Sequence, residues 1–166
     1  VFETQRTEFQ AHDLEIGFAY TEGALVLDDS APHVPDPMGH RYQPTTRPGH
    51  RLPHAWLRRG GERLSTLDLA GRAGGWVLLT GDGDAWRDAA ERAAVKYGVA
   101  LSVAAIGAGQ ACADDEGRWS RLRETGEAGA LLVRPDNHVA WRCQGMPGDG
   151  AAPTLDGVFR ALLARA

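Results

Sequence analysis

Gly129-Ala130-Leu131-Leu132-Val133-Arg134-Pro135-Asp136-Asn137-His138-Val139-Ala140-Trp141-Arg142 reads as two short strands joined by a turn. Leu131 to Val133 is a continuous apolar run of the kind a buried central strand needs, and Val139 and Trp141 then alternate with His138, Ala140 and Arg142. Between them, proline presets φ for a turn, aspartate accepts from nearby backbone N–H groups, and asparagine tolerates the left-handed region. The stretch predicts a β-hairpin and carries no catalytic pattern of its own.

Working outward, Trp76 to Thr80 is a second buried-strand candidate, closed by Gly81. A helix follows, capped by Asp82 or Asp84, with Ala85, Trp86, Ala89, Ala90, Ala93, Ala94 and Tyr97 at helical spacing until Gly98 ends it. Val99 to Ile106 reads as a strand and Gly107 to Glu116 as a small-residue loop. Gly117 to Thr125 is a short helix with Trp119 and Leu122 on one face. After the hairpin, Pro147 to Pro153 is loop, and Thr154 is expected to cap a last helix whose stripe is Leu155, Val158, Phe159, Leu162 and Leu163. Upstream, Ser65 to Leu69 is expected to be a short strand, as are Glu15 to Tyr20 and Ala24 to Leu27. Strands separated by helices require parallel crossovers, whereas the hairpin is antiparallel, so the sheet is mixed with helices on both faces. The resulting α/β order, βαβαββα, is that of a thioredoxin-like sheet, preceded by an irregular N-terminal connector.

Residues 1–58 differ from the rest. They hold five of the six histidines and six of the nine prolines, and Asp28 to Arg51 is loop chemistry almost throughout. A loop of that length inside a compact domain is uncommon unless it is functional or packs on a partner, so residues 1–58 are expected to be a connector and 59–166 the thioredoxin-like domain. The chain starts at Val1, not Met, which suggests a piece of a longer polypeptide.

Composition excludes several classes. A net charge of −4 offers no basic excess for a phosphate backbone. Apolar runs such as Trp76 to Leu79 and Val103 to Ile106 fall far short of the ~20 residues that span a bilayer, and Val1 to Arg6 lacks the layout of a secretory signal. Cys112 and Cys143 form no Cys-x-x-Cys and suit free thiols in a reducing cytoplasm.

The fold's usual chemistry can be tested by position. Where the first strand meets its helix, a thiol oxidoreductase places Cys-x-x-Cys, because the helix N-terminus lowers the thiol pKa. Here the junction reads Gly81-Asp82-Gly83-Asp84-Ala85-Trp86, and no proline precedes the hairpin strand. The same junction fails as a dinucleotide loop, since Trp86 stands where the third glycine must be and two aspartates would repel a pyrophosphate. His50 and His54 are spaced i, i+4, but Pro53 between them argues against the helix that would bring them together, and no full metal ligand set lies nearby. Ser65, Asp68 and a histidine compose a triad only on paper, without Gly-x-Ser-x-Gly. Arg47-Pro48-Gly49-His50-Arg51-Leu52-Pro53-His54-Ala55-Trp56-Leu57 concentrates prolines, glycine, positive charge and an aromatic, which suits a rigid extended segment lying on another surface; the plainer alternative is a connector whose Trp56 and Leu57 cover the sheet edge.

Arg47 to Leu57, Ser65 to Leu69, Leu131 to Asp136 and Val139 to Arg142, in that order, resemble the C-terminal region of FAD-dependent aromatic hydroxylases: phenol hydroxylase, dichlorophenol monooxygenase and the polyketide hydroxylases. Phe2-Glu3-Thr4 through Gly17-Phe18-Ala19-Tyr20 resembles the segment leaving that family's flavin and substrate domains. The resemblance implies a parent enzyme using FAD, NAD(P)H and O2 on a phenolic or polycyclic substrate, with flavin and substrate motifs upstream of these residues. It implies a non-catalytic domain, itself without cofactor or metal, that packs on those upstream domains or mediates a homodimer; the alternative is a stand-alone interaction module. Candidate partner contacts are Arg47, His50, Arg51, His54, Trp56, Arg134, Asp136, Trp141 and Arg142.

Overall fold

A computed structural model describes residues 5, 10–71 and 74–164; the Phe2–Thr4 block lies outside them. The elements are α1 (His12–Ile16), β1 (Trp56–Arg59), β2 (Glu62–Ser65), α2 (Thr66–Gly71), β3 (Trp76–Thr80), α3 (Gly83–Tyr97), β4 (Leu101–Ala105), α4 (Arg118–Leu122), β5 (Ala130–Val133), β6 (Val139–Cys143) and α5 (Ala151–Leu162). Four strands form one mixed sheet in the order β4-β3-β5-β6, with β3 parallel to β4 and antiparallel to β5. From β3 onward the βαβαββα order expected from the sequence is observed.

The hairpin at the far edge forms as its residues dictate. Asn137 takes φ +65°, its N–H donates to the Arg134 carbonyl, and an Asp136 carboxylate oxygen accepts from the His138 N–H at 3.2 Å. Leu132 pairs with Trp141 but Val133 pairs with Val139, so Ala140 is an extra residue on β6. This bulge changes which way the strand faces. Val139 joins one core cluster, Ala140 and Trp141 join the other, and the simple alternation expected along β6 is replaced by burial of Val139 to Arg142 in succession.

Both faces of the sheet are covered. On one, α3 and α5 contribute Trp86, Ala90, Tyr97, Leu155 and Phe159 against Leu78, Leu132 and Trp141. On the other, Leu52, Ala55, Leu57, Leu64, Leu69 and Trp119 pack on Val77, Leu79, Leu131 and Val133. Each fully buried aliphatic or aromatic side chain contributes about 1.5–3 kcal/mol, so residues 52–57 are part of this core, and the expected boundary between 58 and 59 falls inside β1.

Helix α3 matches its expectation closely. Asp82 caps it by accepting from the Ala85 N–H at 3.3 Å, and Gly98 ends it at φ +66°. Four expectations need correcting. Ser65 to Leu69 is not a strand: Ser65 caps α2, its hydroxyl accepting from the Leu67 N–H while the Asp68 carboxylate accepts from the Ser65 N–H at 2.8 Å. This reciprocal box outweighs the apolar alternation of Leu67 and Leu69. Helix α5 starts at Ala151, ahead of the expected cap; Pro153 fits its first turn, and the Thr154 hydroxyl donates to the Gly150 carbonyl. Glu15 to Tyr20 opens with the end of α1 and leaves only a single bridge, Ala19 to His50. Ala24 to Leu27 is irregular, with the Val26 N–H donating to the Ala140 carbonyl at 2.8 Å. The β1–β2 hairpin was not anticipated, although Gly60-Gly61, at φ +59° and +87°, is a two-residue turn signal.

Candidate functional site

The β3–α3 junction, where thiol and nucleotide chemistry were sought, is filled by the chain itself. A Cβ on Gly83 would lie 2.7 Å from the Ala105 Cβ, and one on Gly81 2.8 Å from the Glu127 carbonyl oxygen. These glycines permit close packing within the chain, and Trp86 directly beyond them is fully buried, its indole N–H donating to the Ala128 carbonyl. Trp86 in the place of a small residue, with Asp82 and Asp84 beside it, disfavours a pyrophosphate at this turn. Burial pushes the Cys112 and Cys143 thiols above their ordinary values, opposite to what a reactive thiolate needs. A polar cleft of about 670 Å³ lies beside this junction, reached by Gln110, Asp114, Arg123 and Glu127. Asp114 is committed there, accepting from the backbone N–H groups of Trp119 and Ser120.

Residues 10–51 form the second region of interest, held against β6 by an ion cluster. The Arg142 guanidinium, only 8% exposed, donates to Asp28 at 2.6 Å, to Glu124 at 2.5 Å and to the Thr46 hydroxyl at 3.1 Å. Thr46 in turn donates to the Arg123 carbonyl at 2.7 Å. Burial works against the Asp28 carboxylate, but hydrogen bonds from Ser30 and Arg142 prevail and lower its pKa. Arg142 thus ties the N-terminal segment, β6 and the end of α4 together. Arg142 is buried there because the N-terminal segment covers it.

Above this tie, Asp13, His33 and His50 converge. An Asp13 carboxylate oxygen stands 3.4 Å from His33 Nε2, and the His33 and His50 rings meet edge to face with centroids 5.3 Å apart. Asp13 is 4% and His50 3% exposed. The other Asp13 oxygen accepts from the Asp36 N–H at 2.8 Å, and Gly17 is needed here because a Cβ would sit 2.2 Å from the first oxygen. Burial, aided by His33 and Arg47, lowers the His50 pKa to about 4, leaving its imidazole neutral near pH 7. His50 Nε2 is buried without a hydrogen-bond partner, and His50 is one of the residues lining a cavity of about 340 Å³. Among the described residues no group of three His, Cys, Asp or Glu side chains has the arrangement of a metal site, and no helix is long and apolar enough to cross a membrane.

The remaining candidates separate into several places. Arg47 reaches Ser30 at 3.0 Å; the Arg51 backbone bridges to His138. His54 Nδ1 is 2.7 Å from the Ser65 hydroxyl, and its ring abuts Trp56, over which the Arg63 guanidinium lies at 4.1 Å. Arg134 pairs with Asp136 at 2.6 Å and overlies Tyr20, while Trp141 is buried beside Trp86. Trp56 and Asp136 alone among the nine are exposed, Trp56 at 38%. Sequence reasoning missed Asp13, His33, Asp28 and Glu124, whose ring and ion-pair partners His50 and Arg142 lie between 17 and 114 positions away; no spacing rule reaches that far.

The frame is a mixed four-stranded sheet flanked by helices, with an N-terminal segment tied across its hairpin. Residues 45–166 match the aromatic-ring hydroxylase C-terminal family, and the chain belongs to it. It is 40% identical over 157 residues to the 2,4-dichlorophenol 6-monooxygenase of Cupriavidus pinatubonensis, covering 93% of this chain and 26% of the relative. It is 43% identical over 152 residues to the phenol 2-monooxygenase of a Pseudomonas species, covering 90% of this chain and 25% of the relative. Among solved structures, the flavin-dependent monooxygenase PieE, in complex with FAD and substrate, superposes with a TM-score of 0.84 at 47% identity over 95% of this chain and 27% of that one. Aklavinone-11 hydroxylase, in a ternary complex with FAD and aklavinone, does so at 0.75, with 42% identity over 89% of this chain and 26% of that one. The chain spans about a quarter of the length of these relatives.

Proposed function

We propose that this chain is the C-terminal, non-catalytic domain of an FAD-dependent aromatic monooxygenase, and that it packs through its N-terminal segment onto the flavin and substrate domains of the same polypeptide. The observation carrying this reading is an uneven surface. Leu14, Ile16, Phe18, Tyr20, Leu27, Val34 and Met38 are seven of the ten large hydrophobic side chains exposed among the described residues, and all lie between positions 14 and 38. Such concentration marks an interaction surface, not ordinary scatter. FAD, NAD(P)H and O2 would then act in the upstream domains of a cytoplasmic enzyme, and the isolated chain binds no flavin, a reading supported by Trp86 and the paired aspartates at the β3–α3 turn.

The test is complementation: the upstream part of the polypeptide is produced separately and titrated with this chain. A one-to-one complex weakened at least about tenfold by Val34→Asp with Leu14→Glu is expected, a loss in keeping with removing central apolar contacts. Absence of a complex, or saturable FAD binding by this chain alone, would overturn the reading. Concentration-dependent dimerisation abolished by the same substitutions would replace it with the homodimer alternative.

A further inference from the structure

We infer that the outer edge of β4 is a pairing surface for β4 of a second copy of this chain, the two strands running antiparallel across a two-fold axis at Ser102. The inference rests on the domain reading in one respect: the exposed hydrophobic residues between positions 14 and 38, on the β6 side of the sheet, are taken to face the rest of the polypeptide, which leaves the β4 side to another molecule.

The two edges of the four-stranded sheet are finished differently. β6 is sheathed by the N-terminal segment, whose Val26 and Gly49 N–H groups donate to it, whereas β4 pairs with β3 alone. The Trp76 N–H donates to the Ala100 carbonyl and the Ile106 N–H to the Thr80 carbonyl, both at 2.8 Å. Along a parallel strand the bonding groups turn alternately to one side and the other. Ala100, Ser102, Ala104 and Ile106 therefore bond to β3, and Leu101, Val103 and Ala105 turn their backbone groups outward. The Ala105 carbonyl is engaged within the chain, accepting from the Cys112 N–H at 3.1 Å. Among the described residues nothing hydrogen-bonds to the N–H or carbonyl of Leu101 or Val103.

Edge strands are ordinarily guarded by a lysine, a proline, a bulge or a cover. β4 has none of these. The 17 residues from Tyr97 to Ala113 hold no formal charge and no proline, the longest such run in the chain, and the register with β3 is regular. Ser102, between the two open residues, is exposed.

A second copy suits this edge because the open groups are self-complementary. With Leu101 of one copy opposite Val103 of the other, each pair exchanges both of its N–H···O=C bonds, and every open group of these residues is used. The next register, Val103 opposite Val103, would call on the Ala105 carbonyl, which is already engaged. In the first register Ser102 faces Ser102 of the second copy at a site where Cα atoms stand about 4.5 Å apart, close enough for the hydroxyls to bond across the axis. No charged residue of the run meets its own image. Strands this short make a small interface, so the dimer is weak and reversible.

Sedimentation velocity of the 166-residue chain should show a monomer–dimer equilibrium between about 10 µM and 1 mM, the range of a small interface. Ser102→Lys and Ser102→Glu, each at an exposed position, should weaken it at least about tenfold by setting like charges face to face. An equimolar mixture of the two variants should pair at least as tightly as the parent. Val103→Pro removes only an outward N–H and should abolish pairing, and it serves where a charge at position 102 disturbs the fold. A parent that stays monomeric up to about 1 mM, a dimer unchanged by either charge or by Val103→Pro, or charged variants that do not pair when mixed would each overturn the inference. A dimer lost in Val34→Asp with Leu14→Glu would overturn it too, by placing the contact on the other side of the sheet. Complex formation with the upstream domains does not involve Ser102 and should be unchanged in its variants, so failure of the domain reading and failure of this inference are told apart.

Discussion

Replacing His50 by phenylalanine should make the chain less sensitive to mild acid. The His50 pKa is about 6.5 in the unfolded chain and about 4 when folded, chiefly because burial disfavours the charged ring, with His33 and Arg47 adding repulsion and Glu124 and Asp13 opposing it. Between those values the unfolded chain binds a proton that the folded chain does not, so folding stability falls as pH falls. Near pH 7.5 both states are neutral and the group contributes no pH dependence. By about pH 5 the loss is about 2 kcal/mol, and below about pH 4 it levels off near 3 kcal/mol, from linkage at 1.36 kcal/mol per pKa unit. His138, whose pKa burial also lowers, acts in the same direction, so the comparison must be between parent and variant. The lowered carboxylates of Asp28, Asp36 and Asp156 contribute stability that is present above about pH 4 and lost only below it, outside this window. Urea unfolding at several pH values between about 7.5 and 5 is the assay. His50→Phe should lose about 2 kcal/mol less than the parent across that range; an equal loss in both would refute the account of His50 as a neutral buried base.

Other substitutions probe other joints. Arg142→Ala leaves Asp28 and Glu124 without their buried cation and should cost about 3–5 kcal/mol in the same unfolding measurement, whereas Arg142→Ala with Asp28→Ala should cost less than the two losses added. Gly49→Ala forces a Cβ against the Tyr20 carbonyl at an unfavourable φ and should destabilise by at least about 1–3 kcal/mol; a neutral result would mean the backbone there relaxes freely. Ser65→Ala removes the α2 cap and the His54 hydrogen bond and should cost about 1–2 kcal/mol, with the change in helical circular dichroism small.

What the sequence made legible was local. Asp82, the alanine periodicity and Gly98 fix α3 because cap, stripe and stop lie within one contiguous run, and Pro135-Asp136-Asn137 fixes the hairpin turn for the same reason. Ser65 to Leu69 was read by hydrophobic alternation where a capping box of the same residues governed. Arg47 to Leu57 reads as a rigid segment for another surface because Pro48 and Pro53 mask Leu52, Ala55 and Leu57, which the tertiary structure inserts into this chain's own core. The Asp13–His33–His50 cluster and the Arg142 tie were invisible for a stronger reason: their members are remote in sequence, and only the backbone path of residues 10–51 brings them together.

That path has a consequence for how the chain comes into being. The outer edge of β6 receives hydrogen bonds from the N–H groups of Val26 and Gly49 and donates from Val139 to the His50 carbonyl. An unsheathed edge strand is a template on which a second copy can add its own strand. During synthesis the residues that sheathe it emerge before β6, so the cover is already made when the edge appears. A shortened chain starting at residue 45 would keep Gly49 and His50 but leave the Ala140 carbonyl bare, offering that part of the edge to a second copy.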